Sequence, residues 1–315
     1  MRITAVDDSI LRAVNQFHYM TAAQVSRLLY PDAHDDNRYA QRRLRRLTEA
    51  GYIMRLRELP APRVGSAPHV FTLADKGRHY LSGHGVGLSN AYFRPSEERR
   101  KAQDNPFMEH TLAAVDVLVA AESLCRTMRV SMPRMLSERQ LKRTNVRVTP
   151  AGHEDARPVA VIPDAWFELQ AFDDPPVAIA LELDRSTEHQ KHWRRKIAAL
   201  AAWAEGPYRS AFDSDNLTVA VVTPTPQRRD QLAAWTTQEL DATGSTHVVD
   251  IFLFTDASPV TTPPERFFFE PLWLSLTSSA PVGLLDPPEE EVSSSAPAGP
   301  PYKYNLGRPV EREIE

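Results

Sequence analysis

Two apolar runs near the middle of this 315-residue chain carry acids where buried strands usually carry none. The run VAVIPDAWFELQ, from Val159 to Gln170, is interrupted by Pro163 and the carboxylate of Asp164. The run VAIALELD, from Val177 to Asp184, ends on Glu182 and Asp184. Side chains alternate between faces along a strand, so Glu182 and Asp184 share one face and Leu181 and Leu183 the other. A carboxylate on a buried strand is strongly destabilising unless it is paired or coordinates a cation. Asp164 and Glu182 on neighbouring strands therefore call for a cation. Hard oxygen ligands in a site open to water suit Mg2+ or Mn2+.

The elements that must position these acids follow one another in α/β order. Apolar spacing predicts a helix from about Pro106, with Leu112, Val115, Val119 and Leu124 as its stripe and Glu109 and His110 in its first turn. Extended segments follow at about Val130 to Arg139, Leu141 to Val148, Val159 to Gln170 and Val177 to Leu183. Next come a helix from Thr187 to Glu205, a strand from Leu217 to Thr223, a helix from Gln227 to Ala242 and a strand from Val248 to Phe254. This order predicts a mixed sheet flanked by helices. In the Thr187 helix, Gln190 holds the capping-box position and Trp193, Ile197, Leu200, Ala201 and Ala204 form the core face. Lys196 borders that face and can reach back toward the strand ends, whereas Lys191 and Arg195 point away. Glu109 and Glu138 are further candidate acids, although the helix dipole favours an acid at Glu109 without any function. The Phe267-Phe268-Phe269 cluster with Trp273 reads as a strand or edge segment closing the core.

Composition excludes several classes. The single cysteine, Cys125, permits neither an intramolecular disulfide nor a Cys-based zinc site and fits a reducing interior. His189 and His192 stand three apart, but nothing completes tetrahedral zinc spacing around them. There is no G-x-S-x-G for a serine nucleophile and no G-x-x-x-x-G-K-[ST] for a nucleotide. No apolar run reaches the length of a membrane span, and acidic residues precede any signal-like run, so a cytoplasmic protein without membrane contact is expected. Pro281 to Pro309 is rich in Pro, Glu and Ser and predicts a disordered tail.

The net charge of −4 conceals an asymmetry. Residues 1–103 contain 17 Lys and Arg against 10 Asp and Glu, while the remainder contains 20 against 31. A basic front on an acidic body points to a polyanionic partner at that end, or to a solvated Arg-rich surface. In this part, Asp7 or Asp8 can cap a helix carrying Ile10, Leu11, Val14 and Phe17, and Thr21 with Gln24 opens a second. A third helix, from about Arg38 to Ala50, buries Ala40, Leu44 and Leu47. Arg38, Arg42 and Arg45 project from its other side, with Gln41 and Arg46 beside them. Strands from Tyr52 to Leu59 and His69 to Leu73 flank a loop with Arg63, and a short helix starts at Asp75.

The segments MTAAQVSRLLY, RYAQRRLRRLTEAGYI and HVFTLADKGRHYL resemble those of bacterial winged helix-turn-helix DNA-binding domains. The resemblance implies an α+β N-terminal domain whose third helix enters the major groove of double-stranded DNA. Arg38, Gln41, Arg42, Arg45 and Arg46 would meet base edges or phosphates, and Arg63 would serve in the wing. The alternative use of such a domain is protein–protein contact through a salt-bridged basic face.

The pair Pro163-Asp164 and the following Glu182 resemble the PD-(D/E)xK nucleases, which implies a restriction-endonuclease-like C-terminal domain. In that superfamily the Asp and Glu bind a divalent metal, a helix-borne acid, here Glu109, assists, and a lysine two positions beyond the Glu activates water. This chain departs from the pattern, because that lysine position is Asp184. Either the lysine has moved to the next helix, as Lys196 or Lys191, or Asp184 is a third carboxylate ligand, or the domain is an inactive scaffold.

Glu109-His110, PDAWFEL and LELDRSTEHQKHWRRKI together resemble the bacterial replication-relaxation family of plasmids and integrated mobile elements. This implies a DNA-handling protein in plasmid replication, maintenance or transfer, partnered by duplex DNA, by a second copy as a homodimer and by replication or conjugation proteins. It acts either as a Mg2+- or Mn2+-dependent endonuclease or as a non-enzymatic accessory. The expected organisation is a DNA-binding domain at 1–82, a linker at 83–105, a nuclease-like domain at 106–278 and a tail at 279–315.

Overall fold

The computed structural model describes residues 1–31, 37–58, 68–89, 108–143, 145–150, 157–186 and 188–287. These form a mixed α/β protein of two compact units, divided between Val119 and Ala120. No helix among them is long and apolar enough to cross a membrane.

The first unit opens with α1 (Ala5–Phe17), which buries Ile10, Leu11, Val14 and Phe17 as their spacing predicts. Its cap is Thr4 rather than Asp7 or Asp8. The Thr4 hydroxyl accepts from the Asp7 amide at 3.3 Å, and Asp7 Oδ2 accepts the Thr4 amide at 3.0 Å. Asp7 thus supplies the returning half of a capping box. After β1 (Met20–Thr21), α2 (Ala22–Leu29) is opened by the Thr21–Gln24 box read from the sequence. Helix α3 (Arg38–Glu49) buries Ala40, Leu44 and Leu47. An antiparallel sheet of order β1-β3-β2 joins β2 (Ile53–Glu58) and β3 (His69–Leu73), and α4 (Asp75–Gly83) follows.

The linker expected at 83–105 lies mostly outside the described residues, and the described parts on either side of it belong to the first unit. The segment after α4 packs back on α1, where Asn15 Nδ2 donates to the Gly87 carbonyl at 2.9 Å. The first half of α5 (Met108–Thr127) also belongs to this unit. Met108 and Leu112 pack with Tyr19, Met54, Leu56 and Val70. Gln24 Nε2 donates to the Leu112 carbonyl at 2.8 Å and to Asp116 Oδ1 at 2.9 Å, and Arg27 pairs with the same Asp116. These contacts, rather than chain composition, set the division.

The second unit is built on a seven-stranded sheet of order β12-β11-β10-β9-β8-β4, with β5 also on β8. Its strands are β4 (Val130–Ser131), β5 (Met135–Ser137), β8 (Ala165–Ala171), β9 (Val177–Leu183), β10 (Thr218–Val222), β11 (Phe252–Thr255) and β12 (Leu274–Ser275). Strands β9, β10 and β11 run parallel, and the other pairings are antiparallel. Helix α7 (Gln190–Glu205) crosses from β9 to β10, and α9 (Pro226–Thr243) from β10 to β11. Between them lies the short α8 (Tyr208–Phe212). The crossover helices lock together, with Trp193 Nε1 donating to Thr236 Oγ1 at 3.0 Å and Arg194 pairing with Glu239 at 2.6 Å.

Several expected segments break where the backbone requires it. VAVIPDAWFELQ is two strands, β7 (Val159–Val161) and β8. Pro163 has no N–H for a ladder, and β7 pairs instead with β6 (Val146–Val148) in a separate sheet. The extended stretch expected to Arg139 turns into α6 (Glu138–Leu141), capped by Ser137 and Gln140. Residues Thr246–Ile251 form a 3-10 turn ahead of β11. Helix α7 begins at Gln190 with His189 at its N-cap, and Thr187 lies outside the described residues. Phe267, Phe268 and Phe269 lie on α10 (Pro264–Phe269), a helix rather than an edge strand, started by Pro264 at its first position.

The tail expected from residue 279 is packed as far as Leu285. Val282 pairs with Trp273 in an antiparallel bridge, and the buried Leu284 and Leu285 both donate amides to the Phe268 carbonyl at 2.9 Å. Two leucines amid prolines and acids supply the apolar surface that holds this segment down.

Candidate functional site

Two places bring the predicted residues together. The first is the solvent side of α3. Arg38, Gln41, Arg42, Arg45 and Arg46 are all exposed, opposite the buried Ala40, Leu44 and Leu47. Arg45 Nε donates to Glu49 at 2.8 Å across one turn, while Arg38 and Arg46 meet no carboxylate among the described residues. The remaining arginine, Arg43, turns inward to Asp7 at 3.5 Å. Tyr39 adds an exposed ring to this face, with the Arg42 guanidinium 5.0 Å above it and Tyr30 stacked at 6.1 Å. Arg63 lies outside the described residues.

The second place is the carboxyl end of β9, the edge at which open parallel sheets bind ligands. Because β8 runs antiparallel to β9, the residue just before β8 arrives beside this end. Asp164 donates its amide to the Leu181 carbonyl at 2.9 Å and accepts the Leu183 amide on Oδ2 at 2.8 Å. Glu182 is buried, with Val221 of β10 beside it. Lys196 reaches in from α7, placing Nζ 3.0 Å from Glu182 Oε2 and 2.7 Å from Glu188 Oε1. The other oxygen of Glu188 is buried and meets no hydrogen-bond partner among the described residues.

Burial dominates the Glu182 carboxyl and, with Asp164 and Glu188 nearby, pushes its pKa up to about 7 against the pull of Lys196. Burial works against the charge on Lys196. Glu182, Glu188 and Asp164 outweigh it and hold the ammonium well above the ordinary lysine range. Lys196 is therefore a fixed cation at neutral pH.

The remaining predicted residues go elsewhere. Asp184 is engaged in an ion pair. Its side chain is fully buried, and Arg228 of α9 grips both oxygens, Nε to Oδ2 at 2.7 Å and Nη2 to Oδ1 at 2.9 Å. The Ser186 amide donates to Oδ2 at 2.8 Å. Asp184 lies one residue beyond β9 and still donates its amide to the Val222 carbonyl of β10 at 3.0 Å, and it meets α9 while Glu182 meets α7, the two helices that lock together. Glu109 is exposed in the first unit, whereas Asp164 and Glu182 belong to the second. Glu138 pairs with Lys142, and Lys191 is exposed on α7. Among the described residues, no group of three or more His, Cys, Asp and Glu side chains is arranged to hold a metal ion.

Glu188 and Arg228 are the residues that sequence reasoning missed. Glu188 stands two turns before Lys196, a spacing that could have suggested it. Arg228 is 44 residues from Asp184 and carries no local signal.

The chain is thus a two-unit α/β protein, with a basic helix face on one unit and a lysine–carboxylate cluster at the strand ends of the other. It matches the replication-relaxation family over residues 11–212 and belongs to that family. Neither a curated protein nor a solved structure matches it.

Proposed function

We propose that the protein binds duplex DNA of a plasmid or mobile element and acts there in replication, maintenance or transfer. The carrying observation is the α3 face, where exposed cations lie opposite a fully buried apolar stripe. Three helices and a β2–β3 hairpin support a winged helix-turn-helix reading, with α3 as the helix that enters the major groove. Arginine suits that role because its planar fork grips guanine edges or phosphates in bidentate fashion. A homodimer, with two α3 helices on a palindrome, belongs to the same proposal.

The test is the salt dependence of binding to duplex DNA. Each phosphate contact contributes about 0.9 to the log–log slope. Replacing Arg38, Arg42 and Arg46 together by Ala is expected to weaken binding and reduce that slope by about 2 to 3. An unchanged affinity and slope would sink the proposal.

For the second unit we propose a restriction-endonuclease-like domain. The donor set fits a hard cation: Asp164 and Glu182 offer only oxygens, and Glu188 has a buried oxygen without a hydrogen-bond partner among the described residues. Mg2+ or Mn2+ held by Asp164 and Glu182 would supply a polarised water for phosphodiester hydrolysis. Lys196 contributes a fixed positive charge beside the two acids, which suits orienting a water or neutralising a phosphate.

A second reading is favoured by a specific observation. Lys196 already compensates Glu182 and Glu188, and Arg228 compensates Asp184, so these ion pairs can be purely structural. On that reading the protein is a non-enzymatic DNA-binding accessory whose second unit dimerises or recruits a partner. Supercoiled plasmid incubated with Mg2+ or Mn2+ separates the two. Nicking by the wild type, lost in Asp164→Ala and Glu182→Ala while DNA binding survives, is the expected result for the nuclease. Binding without cleavage under either metal leaves the accessory reading.

A further inference from the structure

The second unit pairs most of its basic side chains. Arg134 meets Glu168, Arg194 meets Glu239, Arg229 meets Asp256 and Arg266 meets Glu270. Carboxylates are plentiful there, because Ala120–Glu289 holds 23 acids against 17 Lys and Arg. Against this background Lys191 and Arg195 stand apart. Both are exposed on α7, and neither meets a carboxylate among the described residues. At 3.6 residues per turn they lie on one face, with the exposed His192 at its margin. The face is confined to the first half of the helix, since Ala198 and Ala199 on the same side are buried.

We infer that the outer face of the first half of α7, carrying Lys191, His192 and Arg195, binds the phosphate backbone of DNA. The inference rests on the reading above that this protein binds duplex DNA. Four residues of helix separate the two cations by about 6 Å along the axis, far enough apart for each to meet its own phosphate on one strand. The face therefore matches roughly two successive phosphates.

Its placement gives it a purpose. Lys196 follows Arg195 directly and turns inward to Glu182, so the face lies on the same helix that supplies the lysine of the Asp164–Glu182–Lys196 cluster. The helix is also held rigidly. Trp193 and Arg194 tie it to α9, and Arg228 donates to the Glu188 carbonyl ahead of its first turn at 2.6 Å. A pinned cationic face loses little conformational entropy on meeting a phosphate.

The experiment measures binding of the full chain to random-sequence duplex DNA by fluorescence anisotropy across a salt series. The Lys191→Ala/Arg195→Ala variant should bind more weakly, and its log–log salt slope should fall by about 1.8. Lys191→Arg should keep the wild-type slope. Arg209→Ala, which removes an exposed cation already paired with Asp215, should change neither quantity. Thermal melting checks that each variant is folded. A folded double variant with an unchanged slope overturns the inference, and so does an equal loss in Arg209→Ala, which would mean diffuse charge. The α3 triple variant is read in parallel. Loss of binding there with no effect at α7 sinks this inference alone. An effect at α7 with none at α3 upholds it and sinks the α3 reading.

Discussion

Arg228→Ala is expected to destabilise the Ala120–Glu289 unit by about 3–5 kcal/mol, the range for removing one partner of a buried ion pair. The side chains are 10% and 0% exposed for Arg228 and Asp184, so water cannot replace the lost partner. The guanidinium does more than neutralise. It bridges Asp184, at the end of β9, to the Glu188 carbonyl ahead of α7, and so fixes the loop from which Lys196 is aimed. All five tryptophans, Trp166, Trp193, Trp203, Trp235 and Trp273, lie in this unit, so denaturant unfolding followed by their emission reads it selectively. An unchanged midpoint would show that the pair contributes nothing net. Replacing both partners, as Asp184→Leu with Arg228→Met, should recover much of the loss, because an apolar pair leaves no orphan charge.

The same pair sets an acid limit. Burial acts to raise the Asp184 pKa, but donation from Arg228 and the Ser186 amide prevails and holds it below its ordinary value of 3.8. The folded state then binds that proton less readily than the unfolded chain. This contribution to stability is complete above the unfolded pKa and is lost as pH falls through the folded one. Wild-type stability should therefore drop below about pH 4, and Arg228→Ala should flatten that part of the curve.

The second large effect is expected at Gly77 in α4. Ala is the better helix former by about 1 kcal/mol, so propensity alone predicts that Gly77→Ala stabilises the helix. Geometry reverses the sign. A Cβ at this position would sit 2.2 Å from the Tyr52 carbonyl oxygen and 3.2 Å from Leu73 Cδ2. That oxygen is main chain and already accepts the Ala74 amide at 3.0 Å, so it cannot swing aside as a side chain would. Either α4 lifts from the β2–β3 hairpin or the hydrogen bond breaks. The net loss should be at the upper end of overpacking penalties, about 3 kcal/mol. A far-UV circular dichroism melt no lower than that of the wild type would refute it.

What is legible in the sequence is what local pattern controls. Ile10, Leu11, Val14 and Phe17 suffice for α1, and Thr21 with Gln24 for the start of α2. The contrast of Leu44 and Leu47 with Arg42 and Arg46 suffices for the two faces of α3. The apolar run from Val177 gives β9 to the residue, and helical phase alone puts Lys196 at the border of the α7 core face. Long-range partnership is what pattern hides. Nothing near Asp184 announces an arginine on α9, 44 residues further along the chain. Apolar runs also look alike whether continuous or broken. Only the missing N–H of Pro163 separates β7 from β8, and only Pro264 turns the phenylalanine cluster into a helix. The unit boundary is hidden for a similar reason, since α5 reads as one helix and the contacts of Leu112 and Asp116 with Gln24 decide which unit owns its first half.

The pairing of Val282 with Trp273 bears on the order in which the molecule is made. Strand β12 covers the open side of β11, and Leu284 and Leu285 cap the Phe268 carbonyl behind it. A growing chain therefore completes β11 at Thr255 but cannot cover this edge until Leu274 and Ser275 have emerged. In between, the nascent β11 presents unpaired main-chain groups along its length, the feature that invites pairing between chains. The short β12 ends this interval of exposure, and the Val282–Trp273 bridge and the two leucines then anchor the chain on either side of it.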